Sequence, residues 1–254
     1  MAVFESILWG LVQGLTEFLP ISSSGHLVLV PAFLGVDQPD LATSAVLHLG
    51  TLAAVVAYYR RDLIGLTRFR EDAGARRVLY LLAIGTIPAV IGVFVEDQIG
   101  SIQEDPTAVA IALLVTGVVL FISGLFMSGR ITLERLPVRD GLLIGLAQSF
   151  ALIPGISRSG MTITAGMARD LDPSEAARFS FLLAVPAIAG AGFLQGLELL
   201  DAGGLSTELL AGLVVAAVSG YLAIAVLLLA LTRFGLRPFA AYCFVVGAIA
   251  LITL

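Results

Sequence analysis

Lysine is absent from the 254 residues, and charge of either sign is scarce. Asp, Glu and Arg together make up 13% of the chain, about half the share a water-facing surface requires. All 14 basic residues are arginine, and against 19 acids they leave a net charge of -5. No basic face is available for nucleic acid, so a nucleic-acid partner is excluded. The single cysteine, Cys243, lies in an apolar run and rules out an intrachain disulfide. The N-terminus lacks the basic segment of a secretory signal and carries Glu5, so Met1 onward reads as mature protein.

What the chain has in quantity is apolar sequence: 58% of it, with a mean hydropathy of +1.01. A water-soluble enzyme and a disordered chain are both excluded, and the bilayer becomes the solvent. A hydrocarbon core of about 30 Å takes roughly 17–25 helical residues to cross. Six stretches reach that length without Asp, Glu or Arg: 41–59, 78–95, 107–129, 179–197, 209–232 and 238–254. Two further apolar regions are interrupted. The region 2–36 is broken by Pro20, the Ser22–Gly25 run and Pro31. The region 141–167 is broken by Pro154-Gly155 and by Ser157-Arg158-Ser159-Gly160. Each has an apolar arm, a polar kink and a short apolar return, the pattern of a re-entrant hairpin whose irregular backbone must be covered by protein or a wet cavity.

Arginine placement fixes the count. With six spans and two hairpins, Arg60, Arg61, Arg68, Arg70, Arg76, Arg77, Arg130, Arg135, Arg139, Arg169, Arg178, Arg233 and Arg237 all fall on one side. Asp37, Asp40, Glu96, Asp97, Glu104, Asp105, Glu198, Asp201 and Glu208 fall on the other. The positive-inside rule makes the arginine side cytoplasmic and puts both termini outside. A shift of 135 residues superposes the hairpins without a gap: seven of sixteen positions from Gly10–Gly25 match Gly145–Gly160, including Gln13/Gln148 and the Ser-x-Ser-Gly turns. Each half is then a hairpin plus three spans. Because three is odd, the second half is inverted. The expected fold is an all-α integral membrane protein, one membrane domain over 1–254, with inverted repeats 1–130 and 136–254. Such repeats place their working site near the midplane, where the broken elements meet. Ser22–His26 should therefore lie opposite the 157–162 segment.

Glu17 and Arg158 are the only acid or arginine side chains set well inside these apolar segments, where an ionised side chain costs at least ~2.5–3.5 kcal/mol. Either they clip the hairpins together as a salt bridge or they work on a ligand. Gln13 and Glu17, four apart on a helix, share a face of oxygen donors suited to a hard divalent cation, Mg²⁺ or Ca²⁺. The alternative is that Gln13 bonds a kinked backbone; Gln148 reads as structural. Ser22, Ser24 and Gly25 in one turn, and Ser157, Ser159, Gly160 and Thr162 in the other, supply hydroxyls, amides and helix N-termini, which together make an anion site. Arg158 adds a planar fork matched to phosphate oxygens. His26 follows the serine run and suits acid, base or nucleophilic work. His48, in mid-span, reads as a packing histidine.

The run from Gln13-Gly-Leu-Thr-Glu17 through Ser-Ser-Ser-Gly-His26 resembles the (Glu/Gln)-x-x-x-Glu plus serine–histidine motif of the undecaprenyl-diphosphate phosphatase family, the bacitracin-resistance type. Pro154-Gly-Ile-Ser-Arg158-Ser-Gly-Met-Thr162 is similar to its Pro-Gly-x-Ser-Arg-Ser-x-x-Thr motif, and His48-Leu-Gly-Thr51 resembles a further stretch common there. The resemblance implies a multi-pass enzyme of the plasma membrane, its site open to the outer face. It would use a divalent metal and remove the terminal phosphate of an undecaprenyl-type polyprenyl diphosphate. Gln13 departs from the Glu that many members carry, which leaves Glu17 as the one carboxylate of the motif. The expected partners are the lipid diphosphate and the membrane, with a homodimer left open. Catalysis falls to Glu17, Ser23, His26 and Arg158. Ser23, His26 and water remain alternative nucleophiles, with Ser23, deprotonated by His26, favoured. The rival function is a transporter or flippase of the same lipid, since inverted repeats with broken helices are also transporter architecture.

Overall fold

A computed structural model describes residues 3–93, 105–201 and 206–254. The expected outer-face acids Glu96, Asp97 and Glu104, the first residue of the 2–36 hairpin and the end of the span at 78–95 lie outside the described residues. The described chain is helical throughout apart from turns and one isolated bridge between Ile131 and Leu171. In order the helices are α1 (Val3–Phe18), α2 (Ser23–Leu34), α3 (Leu41–Tyr58), α4 (Arg60–Leu66), α5 (Ala73–Val93), α6 (Pro106–Ile122), α7 (Val138–Ser149), α8 (Arg158–Ala168), α9 (Pro173–Asp201), α10 (Thr207–Phe234) and α11 (Arg237–Thr253).

Side-chain caps set several of the starts. Asp40 accepts from the Thr43 amide at 2.7 Å. Asp105, followed by Pro106, accepts from the Thr107 amide at 2.9 Å, and Ser206 accepts from that of Leu209. Gly35 (φ 66°) and Gly235 (φ 67°) close α2 and α10. Helix α9 starts earlier than the hydropathy count put it, at Pro173, because Asp172 accepts from the Ser174 amide. The charged residues of its first turns extend the helix beyond the apolar stretch.

Among the described residues four helices are long and apolar enough to cross a membrane: Leu41–Tyr58, Ala73–Gly92, Pro106–Phe126 and Thr207–Phe234. Exposed Val214, Val218, Leu222, Val226 and Leu229 form a stripe along α10, an apolar surface that only lipid or another apolar partner would cover. The interrupted regions behave differently. Helix α1 has 16 residues, α2 12, α7 12 and α8 11. At 1.5 Å per residue each is shorter than a ~30 Å hydrocarbon core.

Close backbone contact positions these short helices. Helix α1 lies along α10, and α7 lies along α5. A methyl group at Gly10 would strike the Gly212 carbonyl, and one at Gly145 would strike the backbone of Gly85. Small residues thus bring the pairs together, the usual device where lipid offers no hydrophobic drive to association. Aromatic packing fills the space beside the first turn, with Phe18 edge-on to Phe181 at 5.5 Å.

At one end of the bundle the loops after α3, α6 and α8 are tied by ions. Arg178 reaches Asp62 at 2.7 Å and both Glu134 and Glu175 at 3.1 Å. Arg169 holds Asp140 at 2.9 Å, and the Arg130 and Ile131 amides donate to the Asp170 carbonyl.

Candidate active site

The chain leaves α1 just after Glu17, turns through Leu19–Ser22 and re-enters a helix at Ser23. Ser22 holds this turn as the cap of α2, its hydroxyl accepting from the Gly25 amide at 3.3 Å. The second turn is built the same way: Ser157 caps α8 by accepting from the Gly160 amide at 3.1 Å. The hydroxyl pairs Ser22/Ser24 and Ser157/Ser159 lie 3.3 and 3.2 Å apart. The turns also touch each other. Ser22 Oγ donates to the Ile156 carbonyl at 3.5 Å and Ser159 Oγ to the Leu19 carbonyl at 3.3 Å. A side chain at Gly25 would press on Gly155, whose φ of 94° itself requires glycine.

Between the turns sits the Glu17 carboxylate, 8% exposed. Its Oε1 accepts from Arg158 Nη2 at 2.8 Å. Its Oε2 accepts from Ser23 Oγ at 2.5 Å and from Gln13 Nε2 at 3.1 Å. The structure therefore brings Gln13, Glu17, Ser23 and Arg158 into one cluster, with Ser23 and Arg158 on opposite oxygens of the same carboxylate. A buried ion pair is costly to form and more costly to break on one side. Two atoms of the cluster are buried and have no partner among the described residues: Arg158 Nη1 and Gln13 Oε1. Helices α2 and α8 also point their N-termini here. The Ser23, Ser24, Arg158 and Ser159 amides belong to those first turns, whose N–H groups have no intrahelical acceptor. Dipole ends, first-turn amides and the unused arm of Arg158 suit an anion.

Two expected residues sit elsewhere. His26 does not reach Ser23: its Nδ1 lies 2.8 Å from the Ser22 carbonyl and its Nε2 2.8 Å from the Tyr242 hydroxyl. The expectation that His26 deprotonates Ser23 fails on this geometry, because one ring nitrogen turns back onto the cap and the other out to α11. Thr162 commits its hydroxyl to the Arg158 carbonyl at 2.8 Å and to Ser180 at 2.6 Å, which ties α8 to α9. Gln148, read as structural, is buried, and among the described residues neither end of its amide has a hydrogen-bond partner.

Two further residues lie at the site, His48, read from sequence as a packing histidine, and Thr116, which the sequence reading did not single out. His48 Nε2 is 3.9 Å from Glu17 Oε2, with Nδ1 on the Ser44 carbonyl at 2.7 Å. Its signal was legible: Ser44, His48 and Thr51 are polar residues at helical spacing on an otherwise apolar span. Thr116 on α6 staples the second turn, donating to the Gly155 carbonyl at 2.8 Å and accepting from the Ser157 amide at 3.1 Å.

Among the described residues no group of three or more His, Cys, Asp or Glu could close around a metal. The oxygens that remain are the Glu17 carboxylate and the unpartnered Gln13 Oε1. They fit a hard cation that draws its other ligands from water and phosphate, as Mg²⁺ commonly does, and they do not make a protein-only cage.

A buried carboxylate holding a serine hydroxyl, beside an arginine fork and two helix N-termini, is equipment for chemistry on a phosphate within a membrane protein. Comparison with known proteins names the family. Residues 6–249 match the family model described as bacitracin resistance protein BacA, and the chain belongs to that family. It is 38% identical to the undecaprenyl-diphosphatase of Methanosphaera stadtmanae, over 98% of this chain and 97% of that protein. It is 42% identical to the enzymes of the same name from Thermomicrobium roseum and Geobacter sulfurreducens, in each case over 99% of this chain and 98% of the relative.

Proposed function

We propose that this cluster is the active site of an undecaprenyl-diphosphatase, and that the protein hydrolyses the lipid diphosphate to its monophosphate and free phosphate. Relatives bearing that name along nearly their whole length support the activity; transport without cleavage is not favoured. The observation that carries the mechanism is the Glu17 carboxylate, joined to Ser23 on one oxygen and Arg158 on the other. In this reading Arg158 and the first-turn amides of α2 and α8 take the terminal phosphate. The Ser23 oxygen attacks its phosphorus while Glu17 accepts the hydroxyl proton. A Ser23–phosphate bond forms, the phosphoanhydride bond breaks, and the lipid monophosphate leaves. Water then cleaves the phosphoserine. A divalent cation would be held by Gln13 and Glu17 and would neutralise diphosphate charge.

The same proposal includes a topology. Six spans and two re-entrant hairpins are supported by the shortness of α1, α2, α7 and α8, and an inverted repeat by recurring contacts. The Gly10–Gly212 approach of α1 and α10 has its counterpart in the Gly145–Gly85 approach of α7 and α5. Thr116 on the Gly155 carbonyl has its counterpart in Cys243, whose Sγ lies 3.9 Å from the Pro20 carbonyl. The arginine-bearing loops that meet around Arg178 would face the cytoplasm, the first hairpin would open outward, and the plasma membrane would be the site of action.

The test is to quench turnover of a terminally labelled diphosphate and examine the protein. The expected adduct is acid-stable phosphoserine, absent in Ser23→Ala. An acid-labile adduct retained in Ser23→Ala and lost in His26→Ala would overturn the assignment.

A further inference from the structure

The last helix meets the serine turn that carries Ser23 through two adjacent residues, Tyr242 and Cys243. Tyr242 places its hydroxyl 2.8 Å from His26 Nε2, and the two rings stack with centroids 5.6 Å apart and planes 16° from parallel. The other ring nitrogen, Nδ1, lies 2.8 Å from the Ser22 carbonyl. A carbonyl only accepts, so Nδ1 carries the hydrogen. Nε2 of the neutral ring is then an acceptor, and the Tyr242 hydroxyl is the donor.

What the Nδ1–H holds is unusual. Ser22 sits at φ 69°, ψ 102°, a region that a residue with a side chain occupies only when its surroundings hold it there. Ser157, the equivalent cap of the second turn, has an ordinary φ of -80°. Where the first hairpin has His26, the second has Met161. The strained backbone and the histidine–tyrosine brace thus occur together, and only in the turn whose next residue is Ser23, bonded to Glu17 at 2.5 Å.

We propose that Tyr242 is a positioning residue for the reaction: by donating to His26 it fixes the tautomer whose Nδ1–H holds the Ser22 carbonyl, and so keeps Ser23 on Glu17. The inference rests on the Ser23 reading above. Without the phenol hydroxyl the imidazole is free to carry its hydrogen on Nε2. The Ser22 carbonyl then loses the imidazole donor and keeps only the longer bond from the His26 backbone amide at 3.2 Å, and the strained cap relaxes, taking the Ser23 hydroxyl out of line. Tyr242 touches neither the carboxylate nor the arginine, so its effect passes wholly through His26.

The experiment uses the full chain in detergent with farnesyl diphosphate. Tyr242→Phe keeps the ring stacked and removes only the hydroxyl. Loss of one hydrogen bond's worth of alignment predicts a fall in kcat of about tenfold, with KM within twofold of wild type. His26→Asn puts an amide N–H near the position of Nδ1 with no tautomer to choose, so adding Tyr242→Phe to it should change nothing further. Nitrogen NMR of labelled histidine, with the His26 signals identified by their loss in His26→Asn, should show the Nδ1–H form in wild type and a mixture in Tyr242→Phe. A kcat within twofold of wild type in Tyr242→Phe would overturn the inference. So would an equal loss in the His26→Asn background, or an Nε2–H tautomer in wild type. Full turnover by Ser23→Ala would instead sink the nucleophile assignment, while the tautomer measurement would still report on the brace.

Discussion

Replacing Arg158 by lysine separates two jobs that the guanidinium does with different atoms. Nη2 pairs with Glu17 at 2.8 Å, whereas Nη1 is buried with no partner among the described residues. A lysine ammonium can keep the pair with Glu17, so the hairpins should stay joined and the thermal midpoint should stay close to wild type. It cannot also present a second, coplanar donor to a phosphate oxygen. A hydrogen bond to a charged group is worth about 1.5–3 kcal/mol. At 1.36 kcal/mol per decade that is roughly 10–150-fold in kcat/KM. The assay is phosphate release from farnesyl diphosphate by purified protein, with a thermal melt alongside. Activity within threefold of wild type and an unchanged melt would refute phosphate recognition by the fork. Arg158 would then be a clip between hairpins and nothing more.

Gly145→Ala forces a methyl group onto the Gly85 backbone, and overpacking of this kind should lower the melting midpoint by roughly 2–10 °C; an unchanged melt would show that α5 and α7 can separate without penalty. For sidedness, cysteines at Gln38 and Glu71, both exposed, can be placed in a Cys243→Ser background and probed in intact cells with an impermeant thiol reagent. Labelling of Gln38→Cys alone is expected, and labelling of Glu71→Cys alone would reverse the topology. The third concerns acid. Burial would raise the Glu134 carboxyl, but its own backbone amide, the Thr132 hydroxyl and Arg178 outweigh that and hold it below the ordinary range. A lowered carboxylate contributes stability above its unfolded value of about 4.3 and loses it as pH falls through the folded value. Wild type should melt above Glu134→Gln at neutral pH, and the gap should close in acid; a gap independent of pH would exclude the ion pair as its source.

Much of the site is written where apolar sequence is interrupted. Two ionisable residues deep in hydrophobic segments, each beside a serine–glycine turn, had few ways to be accommodated, and the structure joins Glu17 to Arg158. The serine caps were equally legible, since a hydroxyl three residues before a glycine amide at a helix start has a local partner. His26 was not. Its spacing from Ser23 allows contact along a helix, but the ring turns back to the Ser22 carbonyl because Tyr242, 216 residues away, accommodates its far side. Tyr242 left no trace in the sequence, being one aromatic among the apolar residues of α11. His48 was visible and underweighted: a half-polar stripe of Ser44, His48 and Thr51 had to face something, and Glu17 is on the adjoining helix.

The separation of Glu17 from Arg158 along the chain, 141 residues, is also an interval in time. At roughly 5–20 residues per second a ribosome makes Glu17 about 7–28 s before its partner exists. During that interval an ionised carboxylate at mid-bilayer would have no counter-charge and would pay the full cost of that depth. Three helices apolar enough to cross, α3, α5 and α6, are synthesised in the meantime. In the proposed topology the first hairpin would then wait at the water interface while these helices are laid down, and settle when the second arrives. On that order the Glu17 carboxylate, among the earliest residues made, would be among the last to reach its place, and a chain cut short before Arg158 would leave it unpaired.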